Sequence, residues 1–213
     1  AGLVGAYNGI RAWGERHGSY SIPRAIDCRD LNDMLSTAKG LELPDNMKIV
    51  LTGHGRVGLG AKEVLDHMKI RCVHPDDFIR MDFPEPVFTH LDVGDYNCRK
   101  DGGTFEMSEF IAEPMMFESA FLPFAMRADL FIAGHFWAEG APFLFTREDM
   151  QDEKWNVQVV ADISCDIDGP VACTIRPSTI AHPLYGYHPQ TQQECDAKTP
   201  EGITVMAVDN LPC

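Results

Sequence analysis

The residues best suited to do chemistry are Gly53-His54-Gly55-Arg56-Val57-Gly58, with Gly60 just beyond. Glycines at the first, third and sixth places make the pattern G-x-G-x-x-G, which is weak on its own. Here its context adds weight. The pattern follows the apolar run Met47-Lys48-Ile49-Val50-Leu51-Thr52, and Val57, Ala61, Val64, Leu65 and Met68 then recur at helical spacing. Strand, glycine turn and helix in that order make an anion cradle. Gly53 is expected to form the tight turn, Gly55 to let main chain approach a diphosphate, and Gly58 to let the helix pack close to the strand. Free amides at the helix start, from Arg56 and Val57 on, would face the phosphates, with the Arg56 side chain as an added cation. The chemistry implied is dinucleotide binding. The bland alternative is a glycine-rich turn with no ligand.

The ribose of such a ligand is usually held by Asp or Glu about 20 residues further on, at the end of the second strand. That place falls on His74, with Asp76 and Asp77 after Pro75. An inward Asp76 or Asp77 favours NAD and repels the extra phosphate of NADP. An inward His74 leaves both open, because a protonated imidazole tolerates that phosphate. Aspartates solvated in a turn are the third reading. NAD is the expected cofactor, and NADP stays open.

Ligands of open α/β sheets bind outside the carboxyl ends of the strands. This makes Gly134-His135-Phe136-Trp137 a candidate wall for a nicotinamide ring, with Asp162-Ile163-Ser164 and Asp209-Asn210 as further candidates. His135 could carry a proton, but the neighbouring Phe136 and Trp137 favour a packed wall residue. Arg176 and His182 are expected to be solvated. The eight histidines show no H-E-x-x-H spacing, so no metal is expected. Absence of a G-x-S-x-G elbow weakens a hydrolase reading.

The elements that must position these groups follow from periodicity. Leu3, Tyr7, Ile10 and Trp13 give one apolar helical face, and small residues (Gly2, Gly5, Ala6, Gly9) allow close packing. This helix has no start signal, which suggests a piece of a longer protein. After the polar stretch from His17 to Pro23, Asp30 or Asn32 is expected to cap a short helix through Ala38 that ends at Gly40. Further strands are expected at Ile70–Val73, Val87–Leu91, Leu130–Ala133, Val157–Ala161 and Ile203–Val208. Between residues 92 and 127 the rhythm breaks, with a Gly102-Gly103 turn and helical patches at Phe105–Ile111 and Phe117–Met126. A short helix should start at Thr146, and residues 166–200 read as loop with short strands. Apolar strands alternating with helical segments imply an α/β fold: a Rossmann-like, doubly wound, mostly parallel sheet behind an N-terminal helical segment. Residues 1–46 read as an interdomain helix and linker, and 47–213 as the nucleotide-binding domain.

Composition narrows the partners. Among 213 residues, 18 Lys+Arg stand against 32 Asp+Glu, a formal charge of −14, which disfavours nucleic acid. No apolar run of membrane-spanning length occurs, and the opening AGLVGAYNGIRAWGERHG is not a signal peptide. The seven cysteines (Cys28, Cys72, Cys98, Cys165, Cys173, Cys195, Cys213) include no C-x-x-C pair. Their scatter suits a reducing compartment, and the cytoplasm is the expected address.

Four blocks occur in order: MKIVLTGHGRVGLGAKEVLDHM, ADLFIAGHFWAEGAPFLFTREDM, VVADISCDIDGPVACTIRPSTI and ITVMAVDNLP. Together they resemble the nucleotide-binding region of the NAD-dependent, lysine-forming saccharopine dehydrogenases and their bacterial relatives, kin to alanine dehydrogenase and the transhydrogenase domain. The resemblance covers essentially the whole chain. It implies an amino-acid dehydrogenase that transfers hydride to NAD. Gly55 and Arg56 would lie on the diphosphate, His135 beside the nicotinamide, and Val208, Asp209, Asn210 and Leu211 against the cofactor. It also implies that the catalytic residues lie in a first domain absent from this chain. The partners implied are that domain and a small amino-acid substrate; a homodimer is compatible. Two departures stand out: His74 where the family has aspartate, and Asn210 where the lysine-forming enzymes typically have His. An alanine dehydrogenase-like enzyme and a non-catalytic NAD(H)-binding module are the alternatives, with an S-adenosylmethionine-dependent methyltransferase as a more distant rival.

Overall fold

A computed structural model describes residues 1–211, so Pro212 and Cys213, named above, lie outside the described residues. The chain opens with helix α1 (Gly2–His17), which ends at Gly18 in the left-handed conformation (φ 62°). Its expected apolar face is real: Tyr7, Ile10 and Trp13 are buried. Its small residues let it lie against neighbouring backbone. A Cβ on Gly2 would stand 1.9 Å from the Val57 carbonyl oxygen, and one on Gly9 would stand 2.8 Å from the Ala161 Cβ. Helix α2 (Leu31–Lys39) is capped by the Asp30 carboxylate, which accepts from the Asp33 amide at 2.9 Å.

Strand β1 (Lys48–Thr52) leads through the glycine turn into helix α3 (Arg56–His67). Then follow β2 (Arg71–Cys72), α4 (Pro75–Arg80), β3 (Val87–Leu91) and α5 (Val93–Tyr96). An excursion comes next: β4 (Asn97–Arg99), α6 (Met107–Ala112) and β5 (Phe117–Ser119), with β4 and β5 paired antiparallel. The chain returns through α7 (Leu122–Ala125) to β6 (Leu130–Ala133) and β7 (Val159–Asp162), and closes with β8 (Leu184–His188), β9 (Gln193–Cys195) and β10 (Ile203–Met206).

Eight of these strands form one sheet in the order β2-β3-β1-β6-β7-β10-β8-β9. Pairing is parallel from β2 to β10 and antiparallel at β8 and β9. The central strands are buried along their whole length, because helices cover both faces. Alternation assigns each side. Ile49, Leu51, Leu130, Ile132, Val159 and Ala161 pack under α1, α2 and α3. Val50, Phe131, Ala133, Val160 and Val205 face the opposite core with Phe78, Phe121 and Phe124. The fold is thus α/β and Rossmann-like, with the N-terminal helix packed into the same core as β1 and α3.

Several expected elements change. The strand expected at Ile70–Val73 shrinks to two exposed edge residues, and β3 comes between it and β1. Phe117–Met126 is not one helical patch. Its first three residues extend to pair with β4, and only Leu122–Ala125 is helical, with Pro123 in the first turn, where a missing N–H is harmless. The helix expected from Thr146 is a single 3-10 turn at Asp149–Gln151. The last strand stops at Met206, and Val208 makes only an isolated bridge to Ser178. Among the described residues no helix is long and apolar enough to cross a membrane.

Gly9→Val tests the α1 packing. Extra methyls against Ala161 should lower stability by about 1–3 kcal/mol, read as a lower urea midpoint; an unchanged midpoint contradicts the contact.

Candidate functional site

The glycine turn is held by three stretches of bare backbone. Gly53 has φ 95°, a conformation that L side chains rarely adopt. A Cβ there would stand 2.4 Å from the Gly134 carbonyl oxygen. A Cβ on Gly58 would stand 1.7 Å from the Gly53 carbonyl oxygen, and one on Gly134 would stand 3.1 Å from both Gly58 Cα and Thr52 O. Strands β1 and β6 and the first turn of α3 therefore meet only because all three positions lack side chains. Gly55 is different: its backbone is ordinary (φ −79°), and a Cβ on it would meet nothing within 4 Å. It faces open space. Gly55 caps α3 without a side-chain hydrogen bond, so the first-turn amides keep their donors for an outside acceptor.

That space is a cavity of about 820 Å³ across the carboxyl ends of the strands. Gly53, His54, Gly55, Arg56 and Val57 line one part of it. His135, Phe136 and Trp137 line it after β6, and Ile163, Ser164 and Asp166 after β7. A further apolar part comes from α6, through Met107, Phe110 and Ile111. Glycine loop, α3 start and post-β6 wall are thus brought together, as the motif context required.

His135 is a wall residue. Its Nδ1 lies 2.7 Å from the Thr52 hydroxyl, its ring 5.8 Å from that of Tyr96, and its Nε2 is buried with no partner. Burial lowers its pKa from 6.5 to about 4, so the imidazole is neutral at pH 7. Asp162 is wholly buried at the end of β7. One of its oxygens accepts from the Ser164 hydroxyl at 2.6 Å and from the Ser164 and Cys165 amides at 3.1 Å; the other accepts from the Thr174 hydroxyl at 2.7 Å. Burial nevertheless raises its pKa. Asp162 therefore shapes the turn that presents Ser164 and Asp166. Sequence reasoning stopped at Ser164 and missed Asp166, whose carboxyl pKa is also raised by burial and which forms no ion pair among the described residues. Extending the carboxyl-end rule by two residues finds it.

The other expected residues lie elsewhere. His74 caps α4, its Nδ1 accepting from the Asp76 amide at 3.2 Å. Neither His74 nor Asp76 lines the cavity. The expectation took the next strand in sequence to be the next in space, whereas β3 is the neighbour of β1. The residue after β3 is Asp92, an exposed carboxylate that caps α5 by accepting from the Val93 amide at 2.8 Å; like His74 and Asp76 it does not itself line the cavity, but its neighbour Val93 does. Beside it, His90 donates from Nε2 to the Gly53 carbonyl at 2.6 Å and stacks on His54, ring centroids 4.0 Å apart. Val208, Asn210 and Leu211 line a different cavity of about 360 Å³, with Val4, Arg11 and Ile180, and Asp209 is exposed and lines neither cavity.

The neutral His135 makes stability pH-dependent. The unfolded imidazole takes up its proton near pH 6.5, the folded one only near 4. Its contribution is therefore complete above about 6.5 and is lost as pH falls toward 4, to a total on the order of 3 kcal/mol. Urea unfolding of the native chain and His135→Asn at pH 7 and pH 5 should show the native chain losing more stability than the variant. Parallel losses contradict the burial.

No family model matches this chain. It is similar to proteins named alpha-aminoadipic semialdehyde synthase. The mitochondrial protein of Mus musculus is 26% identical over 188 residues, which cover 78% of this chain and 20% of that protein. The mitochondrial protein of Rattus norvegicus matches to the same extent, at 26%. The Arabidopsis thaliana protein is 24% identical over 183 residues, 76% of this chain and 17% of that protein. The chain spans about a fifth of the length of these relatives, and its likeness is to one part of a larger protein.

Proposed function

We propose that this chain is the dinucleotide-binding part of an amino-acid dehydrogenase of the saccharopine dehydrogenase type. One observation carries the reading: an uncapped helix start behind an open Gly55, in a turn closed by Gly53, Gly58 and Gly134. A diphosphate fits there, because main-chain donors and the helix dipole point into space that no side chain fills. Arg56 adds a cation at the same mouth. The similarity to the semialdehyde synthases supports the substrate class. Alpha-aminoadipic semialdehyde is lysine with its terminal aminomethyl carbon oxidised to an aldehyde, which fits oxidation at a carbon bearing an amine.

The nicotinamide supplies a two-electron hydride acceptor when bound. The chain's own residues orient and enclose. Val57, Ile163 and His135 would pack against the ring, and the neutral His135 would put no charge beside it. Asp166, a carboxylate without an ion pair, is our candidate to meet the substrate's cationic amine. The net reaction gives an imine and one proton as hydride leaves carbon, and water then hydrolyses the imine to carbonyl and amine. The residues that move those protons we assign to another part of the protein.

Asp92 takes over the ribose role first expected of His74 and Asp76, since it ends the strand that neighbours β1. Its carboxylate favours a free 2′-hydroxyl, which keeps NAD as the proposed cofactor. Val208, Asn210 and Leu211 would meet the cofactor's far end where one ligand spans both cavities, with Asp209 exposed beside them. Six free cysteines among the described residues suit a reducing compartment. The cytoplasm is our reading, although the mouse and rat relatives carry the word mitochondrial in their names.

Two variants test this. Gly55→Val should abolish NADH binding in calorimetry while thermal unfolding changes little, because a Cβ there enters the cavity with no protein atom within 4 Å. Retained affinity contradicts the cradle. Asp92→Asn should raise the NADPH-to-NADH affinity ratio by about tenfold, equivalent to about 1.4 kcal/mol; an unchanged ratio removes Asp92 from the ribose site.

A further inference from the structure

The excursion from β4 to β5 adds no strand to the parallel sheet, yet it is firmly built. Phe105, Phe110 and Phe117 pack with ring centroids 5.1–5.6 Å apart. Arg99 bridges Asp101 and Glu109 across the turn and α6. This framework holds out large apolar side chains that the fold leaves bare. Ile111 is 74% exposed and Met107 42%, and both line the glycine cavity. Phe136, after β6, lines the same cavity at 89% exposure. Pro114 reaches the segment after β6, lying 3.7 Å from where a Cβ on Gly140 would stand. The excursion therefore spans the crevice from the β3 side to the β6 side.

Single exposed apolar residues are common, but three converging on one cavity mark a ligand surface. Strand order decides which part of the ligand. With the diphosphate over β1, one nucleoside lies toward β3 and the other toward β7. The β7 side offers Ser164 and Asp166, polar groups suited to a reacting end. The β3 side offers Val93 and the apolar surfaces of α6, with Asp92, the proposed ribose partner, next to Val93.

We infer that α6 is a roof for the purine of the dinucleotide, with Met107 and Ile111 on one side of the base and Phe136 on the other. This rests on the dinucleotide reading above. A purine is flat, has two π faces and stacks on apolar and aromatic side chains without a directional partner. The excursion then gives the chain a grip on adenosine that a plain β-α-β unit lacks.

Calorimetric titration with ADP-ribose, NADH and reduced nicotinamide mononucleotide tests the roof. The probes are the native chain, a Met107→Ser/Ile111→Ser double variant and Phe136→Ser. All three side chains are partly or largely exposed, so thermal unfolding should barely move, and Phe136→Ser keeps the test alive if the double variant is unstable. Affinity for ADP-ribose and NADH should fall by about tenfold in both variants, with the mononucleotide unaffected. Loss confined to the mononucleotide would put the other ring under α6 and overturn the inference. Unchanged ADP-ribose affinity would overturn it as well. A native chain that binds none of the three would bring down the dinucleotide reading, and the roof with it. A native chain that binds ADP-ribose while the variants bind it equally would remove the roof alone.

Discussion

Everything about this site depends on three backbones touching without side chains. Gly53, Gly58 and Gly134 close β1, α3 and β6 on one another so tightly that a single added methyl would fall within 1.7–3.1 Å of neighbouring main chain. The contact fixes where α3 begins, and therefore where its unpaired amides point. It also sets the spacing of β1 and β6 at their carboxyl ends, where the cavity opens. Gly55 has the opposite task, leaving room where the others remove it. The glycine pattern thus combines two physical requirements: close approach inside the protein and clearance outside it.

Around that contact the chain spends its polar groups on shape. Asp162 is buried to hold the turn after β7, satisfied by four hydrogen bonds despite the cost of desolvation. His135 is buried neutral against Thr52. His135 is neutral at pH 7, and both carboxyl oxygens of Asp162 are taken up by hydrogen bonds. Asp166 is the exception on that wall, a carboxylate facing the cavity without an ion-pair partner among the described residues. The division is one between a tightly hydrogen-bonded wall and a carboxylate left open to the cavity, which the proposed cofactor-holding role would use.

Sequence reasoning reached the sheet and the strand–glycine turn–helix order for physical reasons. Strands buried on both faces read as continuous apolar runs, as at Ile49–Leu51 and Leu130–Ala133, and α3 announces itself by period. Strand order is not written in such runs. Ile70–Val73 reads as the second strand because it follows α3, but it carries Arg71 and only two of its residues pair, whereas β3 is five residues long and buried almost throughout, which suits it to lie against β1. That exchange puts Asp92, rather than His74 or Asp76, after the strand that neighbours β1. The excursion was opaque for another reason. Its elements are three to six residues long, too short for periodicity, and Phe117 serves a strand while Phe121 and Phe124 serve a core. Similarly, β10 was legible but its tail was not, since Val208, Asn210 and Leu211 turn toward α1 and a second cavity. Similarity to one part of the semialdehyde synthases agrees with the reading by resemblance, at an identity that leaves residue roles to geometry.

The most direct test of the central claim watches the main chain itself. In an amide-resolved NMR titration with ADP-ribose, the backbone N–H signals of Gly55, Arg56 and Val57 should shift together and saturate, as they take phosphate oxygens for acceptors. If the nucleotide binds while those three amides stay put, or shifts gather elsewhere in the chain, the glycine turn is not a diphosphate cradle.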